Sequence, residues 1–404
     1  MSALPLAGVR VIEVAAWTFV PAAGAVLAEW GADVIKIEHP LRGDPQRGLS
    51  AGGMLGTNGV NFMIEIPNRG KRSVGIDLAA EEGRELLLKL VADADVFLTN
   101  FLPAARRRLG IDVDDLRAIN PKLIYVRGSG NGVRGPDAER GGYDATSYWA
   151  RTGIGAVVTR GDDHPRQQPI AFGDMAGGQT IAGGIAAALF ARANGGEPAV
   201  VDVSLLSYGL WNISPHIVMA KINGVSGELP PFDRLNVSNP IVGIFRTKDD
   251  RMLQLVMLES DRYWGTLCEA FGRSDLVEDP RFIDAQARWD NSAECVAQLD
   301  VEFGSRSLAE CVELLEGQDG PWAVYRLPNE VFDDDQVQAN GFIRTVESAG
   351  GVDFDLVSNP VQFDGESPDT ARAPELGEHT EAVLLELGLS WEDLLPLKDK
   401  AVIT

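Results

Sequence analysis

The sequence is poor in the residues that carry redox and metal chemistry. It has three cysteines, Cys268, Cys295 and Cys311, none in a CxxC pair. The odd number and the spacing argue against a disulfide framework and read as core or surface thiols in a reducing compartment. Four histidines, His39, His164, His216 and His379, are scattered without ligand spacing, so no metal site is expected. The common phosphate cradles are missing as well. No GxGxxG follows the first strand-like run, and no GxxxxGK[ST] occurs, so the dinucleotide and P-loop readings lack their backbone donors. HExxH is absent too, which removes the zincin helix.

Positive charge is scarce. Lys and Arg total 36 against 59 Asp and Glu, a net charge of −23. Such a field repels nucleic acid and anionic membrane, and neither is expected as a partner. Long apolar runs are also lacking. The longest early uncharged run, Val14 to Ala28, contains Pro21 and falls short of the roughly 20 residues that span a bilayer. The N-terminus lacks the basic start of a signal peptide. A cytoplasmic location is expected.

What is present is ordinary globular composition, 45% hydrophobic and 24% charged over 404 residues. That length predicts more than one domain. Residues 9–14 (VRVIEV) read as a strand, PAAGAVLAEWGA as a small-residue helix, and DVIKIE as the next strand. The pattern recurs in EEGRELLLKLVADA before DVFLTN, and in VDDLRAINPK before LIYVRGSG. Repeated α-then-β units predict an α/β fold, a doubly wound parallel sheet. Met175 to Arg192 predicts a buried helix rich in Gly and Ala, and VVDVSLL a further strand. Turn residues around 222–240 predict a linker or domain entry. IVGIFRTKDDRMLQLVML reads as a hairpin turning near Lys248–Asp250, and helical patterns run from Tyr263 to about Leu315. The acidic cluster Asp333–Asp335 reads as a solvated cap or loop.

Three basic groups stand out: Arg42 in HPLRGD, Arg69/Lys71/Arg72 in NRGKRS, and Arg106–Arg108 in ARRRLG. Each alone reads as solvated surface charge. All fall near ends of predicted strands, where open sheets bind ligands, and a polyphosphate ligand would explain them jointly. Asp174, in AFGDMAGGQT, reads first as the N-cap of the helix that follows. A carboxylate there also lies beside unpaired amides at a positive dipole end, which could hold an oxyanion formed when it attacks a thioester. Tyr143 and Asp144, in RGGYDATSYW, and Asn100–Phe101, closing DVFLTN, read locally as turn residues.

In order along the chain come PLAGVRVIEVA, GADVIKIEHPLRGD, NRGKRSVGIDL, LTNFLPAARRRLGID, NPKLIYVRGSGNG, GGYDATSYW, FGDMAGG, VDVSLL and APELGEHTEAVLLELGLS. Taken together they resemble the family III CoA-transferases, the group that includes formyl-CoA transferase and alpha-methylacyl-CoA racemase. The resemblance implies a large Rossmann-like domain over residues 1–222, a small α+β domain over 223–330, and a C-terminal return to the large domain over 331–404. It also implies an interlocked homodimer. It assigns Asp174 as a nucleophile that forms an aspartyl anhydride and then an aspartyl-CoA thioester. Acyl-CoA and a carboxylic acid would be the substrates, with no permanently bound cofactor.

By the same resemblance, CoA contacts fall on Thr18, Phe19, His39, Ile76, Asp77, Leu78, Ala79, Asn100, Phe101, Leu102 and Arg108. They continue on Gly141, Gly142, Tyr143 and Asp144. His39 stands where an arginine can occur, and Gly141 where a lysine can occur. Racemase-type members carry a histidine where Tyr143 stands, and a phenol of pKa near ~10 is a poor base at neutral pH. Transfer is therefore the expected chemistry, with 2-methylacyl-CoA racemisation as the alternative enzyme and a non-catalytic CoA-binding protein as the alternative of another class. The glycine-run lid of formyl-CoA transferase is absent between residues 220 and 262, which argues against oxalate/formate exchange. Trp17, Phe19 and Trp149 are candidates for an acyl pocket.

Overall fold

A computed structural model describes residues 4–51, 59–159, 164–224 and 232–404. The chain divides into two compact units, Met1–Leu229 with Asp335–Thr404, and Pro230–Asp334. Part of the segment expected as a linker, residues 225–231, lies outside the described residues.

The larger unit is built on six strands: β1 (Arg10–Val14), β2 (Asp33–Glu38), β3 (Arg72–Gly75), β4 (Val96–Thr99), β5 (Ile124–Ser129) and β6 (Val200–Ser204). They pair in the order β3-β2-β1-β4-β5-β6, every neighbour parallel. Parallel strands need crossovers, and the helices that supply them cover both faces, so central strands read as near-continuous apolar runs. VFLT in β4 is buried throughout. On one face, Val11, Leu98 and Val126 pack with Phe19, Val20 and Ala23 of helix Phe19–Glu29 and with Ile181 and Ile185 of helix Phe172–Ala193. The two helices approach closely because Gly178 has no side chain. A Cβ there would stand 2.6 Å from the Ala22 Cβ. On the other face, Ile12, Phe97 and Tyr125 pack against Leu86, Leu87 and Leu90 of helix Glu81–Ala92.

The C-terminal segment completes that second face. Val383 and Leu384 join its core, the Gly75 amide donates to the Thr380 hydroxyl at 2.9 Å, and Ile403 bridges to Ile76. Asn359 donates to the buried Glu29 carboxylate at 2.7 Å, which also holds Arg69 at 2.8 Å.

The smaller unit has an antiparallel sheet of β7 (Val242–Arg246), β8 (Met252–Val256) and β9 (Trp322–Val324). The first two form the hairpin expected from the alternating pattern. Helices such as Ser260–Ala270 and Ser292–Gly304 bury Trp264, Leu267, Leu299 and Phe303 over it. All three cysteines are buried here and unpaired, and burial pushes the Cys268 thiol up to about 12. They are core thiols. A further hairpin, β10 (Ile343–Glu347) with β11 (Asp353–Val357), belongs to the larger unit. No helix among the described residues is long and apolar enough to cross a membrane.

Candidate functional site

The sheet order reverses between β1 and β4, since β2 and β3 lie to one side and β5 and β6 to the other. Loops leaving the strands at such a point diverge and open a crevice at the carboxyl ends. A cavity of about 630 Å³ occupies this place, within the ~300–1,000 Å³ range of small-molecule sites. The loop after β1 supplies Ala16, Trp17 and Phe19, the loop after β4 supplies Asn100 to Pro103, and β5 with its following loop supplies Arg127 to Gly130. Gly141, Gly142, Tyr143 and Asp174 close it.

Asp174 is the third residue of helix Phe172–Ala193, not its cap. Ala171 holds the cap position, with φ 53°. The capping carboxylate comes from Asp144, whose Oδ2 accepts the Gly173 amide at 3.0 Å and the Asp174 amide at 3.2 Å. This corrects the local reading of Asp174. It also means that two amides offered above as oxyanion donors are already engaged. Asp144 can come this close because residue 173 is glycine. A Cβ there would meet the Asp144 Oδ1 at 2.3 Å. Freed from capping, the half-buried Asp174 carboxyl faces the cavity. Burial, and then the neighbouring Asp144 charge, push its pKa up to about 7. A carboxyl poised near neutrality in a cleft is the electrostatic pattern of functional sites.

Tyr143 is 62% exposed, and its ring stands edge-on to Trp17 at 5.7 Å. It leads into a π-helical turn, Asp144–Ala150, a rare backbone form often met at functional positions. Asn100 uses both ends of its amide on one residue, accepting from the Ala16 N–H at 3.1 Å and donating to the Ala16 carbonyl at 2.6 Å. It therefore clasps the β1 loop to the β4 loop across the crevice. Phe101 and Leu102 line the cavity beside it.

The other sequence candidates lie apart from the cavity wall. Thr18 is buried, its hydroxyl 2.7 Å from the Gln46 amide. His39 turns its Nδ1 inward to accept from the Leu41 and Arg42 amides. Ile76 sits in the second core cluster, and the Asp77 carboxylate accepts the Ala79 amide at 3.0 Å. None of Ile76 to Ala79 lines the cavity, nor does Arg108, which is exposed. Trp149 is also outside it and donates its ring N–H to the Arg166 carbonyl.

The three basic groups do not form a common phosphate site. Arg69 and Lys71 are buried in ion pairs with Glu29 and Glu13, and Arg72 pairs with Asp33 and Glu386. Arg106 is spent on Asp112 and the Phe101 carbonyl. A buried cation without a partner is too costly to keep, so these charges were matched during folding. The cations that do reach the cavity, Arg106, Arg107, Arg127 and Arg140, include two from outside those groups. Arg127 pairs with Asp202 at 2.6 Å and Arg107 with Glu139 at 3.2 Å. Sequence reasoning also passed over the Gly-rich stretch Gly128, Gly130 and Gly132. Its signal was the GSGNG run that closes β5, where small residues let a ligand approach backbone.

The chain matches the profile of CoA-transferase family III over residues 6–380. It is 31% identical to the (R)-2-hydroxy-4-methylpentanoate CoA-transferase of Clostridioides difficile, over 98% of this chain and 99% of that protein. It is also 31% identical to the cinnamoyl-CoA:phenyllactate CoA-transferase of Clostridium sporogenes, over 98% of this chain and 97% of that one. Among solved structures it is similar to Rv3272 of Mycobacterium tuberculosis, with a TM-score of 0.80 and 30% identity, covering 94% of this chain and 99% of that one.

Proposed function

The chain belongs to CoA-transferase family III, and from this premise we propose that it moves CoA from an acyl-CoA donor to a carboxylic acid through covalent intermediates on Asp174. The observation that carries the reading is Asp174 itself, a raised-pKa carboxyl lining the cavity at the switch point of the sheet. Its carboxylate attacks the thioester carbonyl, the C–S bond breaks, and CoA leaves as thiolate from a mixed anhydride. The thiolate attacks the aspartyl carbonyl and expels the donor acid, leaving an aspartyl-CoA thioester. The acceptor carboxylate then attacks that thioester and releases CoA thiolate. Attack of the thiolate on the acceptor's acyl carbon forms the new acyl-CoA and frees Asp174. Each step exchanges leaving groups of similar reactivity, so no step requires direct displacement on an unactivated acid.

On this reading the larger unit binds CoA, with Phe19, Asn100, Phe101, Leu102, Gly141, Gly142 and Tyr143 at the cavity. Tyr143 at the position of the racemase histidine favours transfer over α-proton exchange. The functional form is a homodimer. Phe190, Trp211 and Ile222 are 73%, 77% and 77% exposed on one chain, and on this reading a second chain covers them.

The test is to incubate the full chain with short, branched, aromatic and dicarboxylic acyl-CoAs, quench, and analyse the peptide bearing Asp174 by mass spectrometry. A covalent adduct in the wild type and none in Asp174→Ala is expected. No adduct with any of these substrates would defeat the mechanism. Deuterium entering the α-carbon without CoA transfer would establish the racemase reading instead.

A further inference from the structure

Trp17 is a strained residue. Its φ is +67°, a left-handed conformation in which a bulky side chain crowds the following carbonyl oxygen. Such a residue persists only where its surroundings over-determine it, and here the hydrogen bonds around it come from four side chains. The Trp17 N–H donates to Asp44 Oδ1 at 3.2 Å. The Gln46 amide, oriented to satisfy both its ends, donates to the Trp17 carbonyl at 3.0 Å. Asn100 clasps both backbone groups of Ala16, and Lys36 Nζ donates to the Ala15 carbonyl at 2.9 Å.

Two of those side chains belong to an ion network sealed from water. Lys36 lies 3.1 Å from Glu13 and 3.0 Å from Asp44, and Lys71 lies 2.7 Å from Glu13. All four side chains are 0% exposed. The network sets two carboxylates against two amines, and burial pulls the Lys71 amine down to about 7, so its charge balance shifts near neutral pH. Gly24 makes room for it, since a Cβ there would meet the Glu13 Oε2 at 2.0 Å. Burying such a network costs more than an apolar core of the same volume, so its presence calls for a role beyond stability. The segment it grips carries Ala16, Trp17 and Phe19, the residues that follow β1 and line the cavity. There the Trp17 indole meets the Tyr143 ring edge-on and forms an aromatic wall.

We propose that Lys36 and Asp44 are positioning residues, which hold Trp17 in its left-handed turn and so set the aromatic wall of the cavity. Neither touches the cavity. Asp44 acts through the Trp17 N–H, and Lys36 acts through Asp44 and the Ala15 carbonyl. The assignment concerns the shape of the cavity, and the effect on acyl-CoA binding rests on the function proposed above.

The test uses the full chain labelled with 5-fluorotryptophan, the Trp17 resonance being identified by its loss in Trp17→Phe. The sequence has eight tryptophans, so seven serve as internal controls. In Asp44→Ala and in Lys36→Met the Trp17 signal should shift or broaden while the others stay in place. Asp44→Asn, which keeps an oxygen for the Trp17 N–H but not the charge, should give a smaller change. A second arm measures binding of butyryl-CoA and phenylacetyl-CoA by calorimetry, and Asp44→Ala should weaken it about tenfold. An unmoved Trp17 signal in both Asp44 variants would overturn the proposal. So would a shift of all eight signals together, because the network would then be holding the fold at large. If wild type binds neither CoA ester, the function reading fails while the fluorine arm still decides the positioning role.

Discussion

At the scale of single residues, the proposed chemistry turns on the pair Asp174 and Asp144. Asp174 is raised to about 7 from 3.8, so the carboxylate proposed as the nucleophile is fully present only above neutrality. Turnover should fall as pH drops through about 7, read from kcat/KM profiles. Asp144→Asn keeps an acceptor for the Gly173 and Asp174 amides but removes the like charge. Its acid limb should therefore move to lower pH, and an unmoved limb would show that Asp144 does not act through charge. Stability carries the same signature. The folded chain holds the Asp174 proton more tightly than the unfolded chain, so this stabilisation is full below the unfolded pKa and is lost as pH rises through the folded one. Asp174→Asn cannot ionise. Its Tm should exceed wild type by a margin that grows, to a few degrees, between about pH 4 and about pH 8. The sequence singled out Asp174 but gave it the wrong local role, because capping depends on which carboxylate reaches the amides. That carboxylate lies thirty residues earlier.

At the scale of elements, strands β1, β2, β4 and β5 were legible because buried parallel strands are written in near-continuous apolar runs, and the edge strand β6 and the long Gly/Ala helix were legible as well, although that helix, expected to be buried, buries one face only and leaves Phe190 exposed. β3 and β9, of four and three residues, were not. Too few residues alternate in them for a period to register, and their sheet neighbours define them. The Gly178 contact between helices was equally invisible. Ala at 178 would gain about 1 kcal/mol of helix propensity, but overpacking costs about 1–3 kcal/mol. Since the new Cβ would lie 2.6 Å from Ala22 and 3.0 Å from the Ala23 backbone, packing wins, and Gly178→Ala should lower the urea midpoint with m unchanged. The cross-strand pair Glu13–Lys36, in register in β1 and β2, carries more. Glu13→Ala strips a buried partner from both Lys36 and Lys71 and should cost about 3–5 kcal/mol in the same melt. A loss below about 1 kcal/mol would mean the two ammonium groups find other acceptors.

At the scale of the molecule, the expected homodimer should scatter light as twice the 43.5 kDa chain mass, and its Tm should rise with protein concentration. Trp211→Glu, which places a charge on the exposed apolar surface, should shift the mass toward one chain. A wild type that scatters as a single chain at micromolar concentration would end the dimer reading. The sequence by itself determined the doubly wound α/β class, the CoA-transferase family and the candidate nucleophile, because periodicity and ordered motifs are properties of neighbours along the chain. Tertiary structure alone decided which cations were free. Arg69, Lys71 and Arg106, read as ligand groups, are held by acids in distant segments. It alone placed Asp144 on the helix that bears Asp174, and the Lys36–Asp44 network behind Trp17. Charge pairing and burial depend on distance in space, and residues far apart in sequence meet only once the sheet has formed.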